Sequence, residues 1–507
     1  MSAVFQYMPA NVNRLIFASS LIIVISIAGY FFFQQNSLEK LSCQQKPTCF
    51  NCNLILISAD SLRSDHVGAF GYKRNTTPNF DKLAKNGVLY KNFYTTSYLT
   101  PISEMSLQTG MYPSTNGYTR FEAPLSDKYL TIAQILKKDS YNTYAVHSSP
   151  EFGYYDRELQ SFDRGFDSYT HFDKSLNQYD VRKVPDMSSI TKLWEISKNN
   201  KFFNWISVGS IHWPYGLFAK DLYTSKEYNG YFKNKTLEWG TFKNIYNNTV
   251  YPEKKKLTPS DVQYIVDMYD NGITQFDDFL GDLYSQLERR NLLQKTIIVI
   301  ESEHGEDFGE HGYFSHYDIR DNQVHTPLLI IYPDSISKQI NSLVSSVDVL
   351  PTILDLLGIG IPKQVQGNST VPLYCGQEKD NRNMVFIERN PLWEESAIAS
   401  DMNLRGIKTQ IGNKDIAVRT DNWKFILRYS KKALEEESWW GYITGTKIVI
   451  PEKELYDLKK DPLELNNIVS SEPQVANNLE KILIDWKEKI ENINPDRKQY
   501  PLIQKYF

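Results

Sequence analysis

Short apolar runs that stop abruptly at polar residues recur along this chain. Asn53 to Ser58 (NLILIS) carries no charge and stops at Ala59-Asp60-Ser61. Thr296 to Ile300 (TIIVI) stops at Glu301-Ser302-Glu303-His304-Gly305, and Pro327 to Tyr332 (PLLIIY) follows His325. Runs of this length without alternation are the pattern of parallel strands buried on both faces. Helical patterns lie between them, over Pro78 to Lys85, Leu130 to Lys138 and Pro259 to Arg290. The alternation predicts an α/β core with a mostly parallel sheet between helices. Polar groups at the carboxyl ends of such strands sit where α/β sheets hold ligands.

The pattern changes from about residue 376. Ile416 to Arg419, Trp423 to Arg428 and Glu454 to Leu458 read as strands with polar turns between them. Val475 to Ile490 reads as a closing amphipathic helix. A smaller C-terminal α+β subdomain with an antiparallel sheet follows from this.

Near the amino terminus, Leu15 to Phe33 (LIFASSLIIVISIAGYFFF) runs without a charge. At about 1.5 Å per residue a helix there spans the hydrocarbon core of a bilayer. Arg14 precedes it, and Glu39, Lys40 and Lys46 follow, which favours the amino terminus inside. A cleaved signal peptide competes, but no small-residue cleavage site follows Phe33. The expectation is a single-pass membrane protein with its catalytic domain periplasmic, extracellular or lumenal. The expected organisation is a tail at 1–14, a transmembrane anchor at 15–33, a linker at 34–52, a catalytic domain at 53–375 and a C-terminal subdomain at 376–507. Cys43, Cys49 and Cys52 cluster after the anchor while Cys375 stands apart, so a disulfide within the cluster or to Cys375 is expected. A formal net charge of −4 supplies no basic field, which excludes nucleic acid as a partner.

The candidate chemistry sits at the strand ends. Alone, a strand-end aspartate such as Asp60 is more often a helix cap than a metal ligand. Glu303-His304-Gly305 is followed by Gly309-Glu310-His311-Gly312 and His316, so three of the eight histidines fall among six acids between Glu301 and Asp318. Carboxylate oxygen beside imidazole nitrogen is what a divalent cation accepts, with Mn, Zn, Mg and Ca all open.

These residues also carry a resemblance. Asp60-Ser-Leu-Arg-Ser-Asp65-His66, Thr77-Pro-Asn-Phe-Asp81 and Ser106-Leu-Gln-Thr109-Gly110-Met-Tyr-Pro113 resemble the amino-terminal signatures of the sulfatase family. His212-Trp-Pro-Tyr215, Glu303-His304-Gly305-Glu306 with Gly309-Glu310-His311-Gly312, Val347-Asp348 through Gly358, and Glu454 through Pro462 are similar to its later landmarks, in family order. The resemblance implies an alkaline-phosphatase/sulfatase-like core and a nucleophile beside a divalent metal. It implies Asp60, Thr100, Glu303 and His304 around that metal. His212 and His316 would then bind the ester oxygens or protonate the leaving group, with His325 a further candidate for binding the ester.

The chain departs from the sulfatase pattern where the nucleophile belongs. Counting back from Thr109-Gly110, the cysteine or serine that sulfatases oxidise to formylglycine is Thr100, and the arginine of that motif is Glu104. Threonine here resembles the phosphoethanolamine and phosphoglycerol transferases. Ser61 replaces the second of a paired aspartate, and His147-Ser148-Ser149-Pro150 lacks the lysine of the sulfatase element it corresponds to. The favoured expectation is therefore a metal-dependent enzyme of phosphoryl transfer or phosphodiester hydrolysis, with Thr100 as nucleophile, on an envelope lipid or glycan. The alternatives are a sulfuric ester hydrolase on sulfated glycans and a non-catalytic protein that keeps the fold for binding.

Overall fold

The computed structural model describes residues 48–119, 124–149, 152, 161–170, 183–197, 200–251, 253–335, 337–374, 383–389, 415–428 and 451–493. Strands β1 (Asn53–Ala59), β2 (Val88–Tyr94), β3 (Asn142–His147), β4 (Ser168–Tyr169), β5 (Phe202–Val208), β6 (Thr296–Ser302), β7 (Leu328–Ile331) and β8 (Lys338–Ser345) form one sheet. Their order is β8-β2-β7-β6-β1-β5-β3-β4. The two apolar runs ending at Asp60 and Glu301 are thus adjacent central strands, and every residue of β1, β5 and β6 is buried.

Burial on both faces follows from the alternation of side chains along each strand. On β1, Leu54 and Leu56 join one apolar cluster while Ile55, Ile57 and Ala59 join the other. Helix α1 (Pro78–Ala84) covers the second face, α2 (Thr100–Thr109) and α3 (Ile132–Lys138) the first. The long α4 (Pro259–Arg289) lies on the second and α5 (Val349–Leu357) on the first. The start of α4 is set locally. Thr258 and Asp261 form a reciprocal capping box, and Pro259 occupies the first turn, where its missing N–H costs nothing.

One expectation about the sheet is corrected. The run at Pro327 to Tyr332 is not parallel: β7 runs antiparallel to both β2 and β6. The chain leaves β6 at the carboxyl edge and reaches His325 beside Tyr94, the last residue of β2, at that same edge. A strand starting there has to run back. The other pairings are parallel.

The C-terminal strands β9 (Met384–Arg389), β10 (Asp415–Thr420), β11 (Trp423–Leu427) and β12 (Lys453–Asp457) form an antiparallel sheet in chain order. Helix α6 (Pro473–Ile493) packs Ala476, Leu479 and Leu483 onto Ile416, Val418, Phe425 and Leu455. The opposite face of the sheet joins the main core through Val385, Ile387, Ala417 and Ile426, and ion pairs add to the junction. The stretch from Asp318 to Asp321 pairs with Arg428, Glu454 and Lys424 of the subdomain.

Cys49 and Cys52 form a disulfide, their Cα atoms 5.5 Å apart. Cys43 and Cys375 lie outside the described residues, as does the apolar segment 15–33. Among the described residues no helix is long and apolar enough to cross a membrane. The single-pass, membrane-bound localisation expected from the sequence is corrected accordingly: nothing in the described fold is an anchor.

Candidate active site

The sheet register assembles the site. Ala59 is opposite Val208 on one side and Ser302 on the other, so the chain leaves β1, β5 and β6 at one edge. Asp60, Glu303 and His304 follow directly from the ends of β1 and β6, and His212 stands a few residues past the end of β5. Ligand atoms of Asp60, Glu303 and His304 lie within 4.8 Å of one another, and all three side chains are buried.

Thr100 arrives at the same edge from the end of β2, as the first residue of α2. Its Oγ1 lies 2.8 Å from His304 Nε2, and Asp60 Oδ1 lies 3.6 Å from the same nitrogen. The other ring nitrogen, Nδ1, is 2.8 Å from the Gly305 carbonyl. Donation to that carbonyl fixes the tautomer and leaves the Nε2 lone pair to accept from the Thr100 hydroxyl, or to face a cation together with Asp60. Asp60 is held in turn: Ser149 donates to Oδ2 at 2.6 Å and Ser61 to Oδ1 at 3.3 Å. The first turn of a ten-residue helix with Pro101 just inside it therefore faces the cluster. Its positive dipole end favours an anion there.

His304, His212 and His316 form a ring of imidazoles. The centroid of His304 is 4.1 Å from that of His316 and 6.3 Å from that of His212, and the latter two are 5.1 Å apart. His212 Nδ1 lies 2.9 Å from its neighbour's carbonyl at Trp213, and His316 Nδ1 lies 3.1 Å from Glu306 Oε1. Six of the residues expected at the site (Asp60, Thr100, His212, Glu303, His304 and His316) thus come together. His325 is placed elsewhere. It stacks on Tyr94, and its two ring nitrogens meet Ser64 Oγ at 3.1 Å and the Lys91 carbonyl at 2.9 Å. His311 likewise binds Asp307 and the Leu463 carbonyl at the subdomain junction.

The electrostatics fit a cation. Burial, with a smaller push from His316, lowers the His304 pKa to about 4, so the ring is neutral and ligand-competent near neutral pH. Burial raises Glu303 well above the carboxylate range, and the neighbouring Asp60, Glu301 and Glu104 carboxylates add to it. Among the described residues neither carboxylate oxygen of Glu303 has a hydrogen-bond partner, although both are buried. An unpaired buried carboxylate is expensive, and a divalent cation is the compensation that an O,O,N donor set offers. Glu104 is buried by the same packing, which lifts it to about 7 despite bonds from Gln108 (3.0 Å) and Ser58 (3.1 Å).

Ser149 and Glu306 are supporting residues that the sequence did not single out for roles. Ser149 had a readable signal, since it follows β3, the neighbour of β5 in the sheet. Glu306 lies inside the Glu303–Glu306 motif, but its bond to His316 depends on a loop closing back over ten residues.

Against known proteins, residues 52–359 match the Sulfatase family and residues 309–439 match the family described as N-sulphoglucosamine sulphohydrolase, C-terminal. Arylsulfatase K of Rattus norvegicus is 23% identical over 499 residues, covering 91% of this chain and 81% of its own. The ulvan-active sulfatase of Formosa agariphila is 24% identical over 508 residues, covering 92% and 79%. Among solved structures, one determined in complex with its substrate D-glucosamine-2-N,6-O-disulfate superposes with a TM-score of 0.63 at 19% identity. It covers 89% of this chain and is itself covered in full, 100%. The expected phosphoryl transfer or phosphodiester hydrolysis on an envelope lipid is overturned by these relatives, which are named sulfatases and not phosphoethanolamine transferases. A threonine at one position does not outweigh a likeness that runs over nine-tenths of the chain.

Proposed function

This chain belongs to the sulfatase family, and on that premise we propose that it is a divalent-metal-dependent sulfuric ester hydrolase acting on sulfated glycans, with Thr100 as its nucleophile. The observation that carries the reading is the 2.8 Å approach of Thr100 Oγ1 to His304 Nε2, inside the Asp60–Glu303–His304 cluster. The glycan class is supported by the relatives, one named for activity on ulvan and one solved with a disulfated glucosamine.

Asp60, Glu303 and His304 would hold the metal. When bound, it lowers the pKa of a neighbouring hydroxyl and offsets charge on the ester oxygens. Thr100 Oγ then attacks sulfur, and the bond between sulfur and the sugar oxygen breaks, leaving a sulfothreonine. The departing alcohol takes a proton from one of His212 and His316, and the proton released by Thr100 passes to the other, so the pair carries the same net charge after the step as before it. Water next attacks the sulfur of the sulfothreonine, releasing sulfate and returning the threonine hydroxyl. Ser149 and Ser61 orient Asp60 throughout, as Gly305 orients His304.

The test is turnover of an aryl sulfate and of a 6-O-sulfated glucosamine, with Mn²⁺, Mg²⁺, Ca²⁺ and Zn²⁺ supplied in turn. Sulfate release that needs a cation and is lost in Thr100→Ala supports the reading. Sulfate release that survives Thr100→Ala removes the threonine, and absence of release with every cation removes the hydrolase.

A further inference from the structure

Thr100 and His316 come from distant parts of the chain, one opening α2 and the other following the Phe314–Ser315 strand. What sets their separation is on a third element. Strand β9 ends in Glu388-Arg389, and the Glu388 N–H donates to the Thr96 carbonyl at 2.8 Å. That bond ties the strand to the segment leading into Thr100. Arg389 is itself buried, with its guanidinium carbon 5.7 Å from the centroid of the buried Tyr98 ring. The same guanidinium donates through Nε to the Tyr317 carbonyl at 2.7 Å, one peptide beyond His316. Asp415, opposite Arg389 in the sheet register, lies 3.6 Å from it and orients it.

We infer that Arg389 is a positioning residue that sets the distance between Thr100 and His316. It touches the chain two residues before the first and one residue after the second. A guanidinium suits this task because its planar fork donates in fixed directions while its face lies on an aromatic ring. The downstream side of the same loop is clamped independently. Arg428 grips Asp318 with two bonds of 2.9 Å and also reaches Asp415 at 3.3 Å. Loss of Arg389 therefore leaves Asp415 paired and the subdomain docked, while Tyr98 and the Tyr317 carbonyl lose their common partner. Reacting groups misplaced by about 1 Å lose on the order of 10²-fold in rate. The inference rests on the reading that Thr100 and His316 act together on the ester.

The experiment compares the full chain with Arg389→Met, Arg389→Lys and Leu483→Ala. The last removes an α6 side chain from the cluster with Ile416, Val418, Phe425 and Leu455, which includes no residue of 315–321, and so controls for general loosening of the subdomain. Arg389→Met should lower kcat by about 10- to 100-fold, with KM and bound metal per chain unchanged, and Arg389→Lys should recover part of it. Hydrogen exchange should rise in both 96–101 and 315–321 in Arg389→Met, and in neither in Leu483→Ala. Unchanged kcat in Arg389→Met, a loss confined to KM, an equal loss in Leu483→Ala, or exchange altered in one segment only would each overturn the inference. If the parent chain turns over no sulfate ester, the hydrolase reading falls on its own. Joint exchange of the two segments then decides the positioning role without any assay.

Discussion

Thr100 Oγ1 and His304 Nε2 meet at 2.8 Å although one opens a helix and the other follows a strand more than two hundred positions away. The helix presents the hydroxyl at its amino-terminal turn, and the sheet edge presents the imidazole. A hydroxyl so placed is a nucleophile if its proton is removed and its oxygen faces an electrophilic sulfur.

The first prediction concerns that hydroxyl. Thr100→Ala should reduce kcat/KM by at least about 10³-fold, because a group that forms the covalent intermediate has no substitute. Thr100→Ser should keep a measurable share. Rapid quenching of the parent enzyme followed by intact-mass analysis should reveal a chain carrying one added sulfonate, mapped to Thr100. A burst without that adduct would assign the nucleophile elsewhere.

Glu303→Gln separates metal binding from folding. The carboxylate is buried with no hydrogen-bond partner among the described residues, so neutralising it should leave the metal-free protein as stable as the parent or more so. The parent should gain about 2.7 kcal/mol at a cation concentration 100-fold above Kd, and the variant should gain far less. Thermal melts with and without chelator read both quantities. A variant that is destabilised without metal yet still responds to it would place the ligand elsewhere.

His212 and His316 can be told apart by leaving group. A sugar alcohol needs a proton as it departs, whereas an activated phenol does not. Replacement of the general acid by glutamine should cost about 10²- to 10⁴-fold on a sugar sulfate and far less on a nitrophenyl sulfate. Replacement of the other histidine should cost similar factors on both substrates. Equal losses on both substrates for both variants would exclude either ring as the acid.

Asp318 makes acid stability informative. Burial alone would raise its pKa, but Arg428 and Arg320 hold it well below its ordinary value of 3.8. A depressed carboxylate stabilises the fold above the unfolded pKa and loses that contribution as pH falls through the folded one. Asp318→Asn should therefore destabilise by about 3–5 kcal/mol near neutral pH, as breaking a buried pair does. Its deficit relative to the parent should shrink below about pH 4. Denaturant titrations across that range would show it, and a deficit independent of pH would assign the cost to lost packing.

Much of this architecture was readable beforehand, in particular places. Asp60, Glu303 and His304 could be singled out because all-apolar strands of a central sheet end abruptly, and residues just past them meet at one edge. The C-terminal sheet and α6 were legible from alternation and an amphipathic repeat. The direction of β7 was not, because an apolar run looks the same whichever way it is threaded. His325 carries the same side chain as His316, yet Ser64 and Lys91 engage its ring.

Local residue order by itself determined which segments become strands and helices, and which polar groups stand at strand ends, since both depend on periodicities of a few residues. The three-dimensional fold alone decided that Thr100 Oγ1 lies 2.8 Å from His304 Nε2, that Ser149 holds Asp60 and that Arg389 touches the flanks of Thr100 and His316. Those contacts follow from strand order and from the docking of a separate sheet. Both are settled by burying apolar faces against one another across long stretches of chain, a sum over many residues that no single motif expresses.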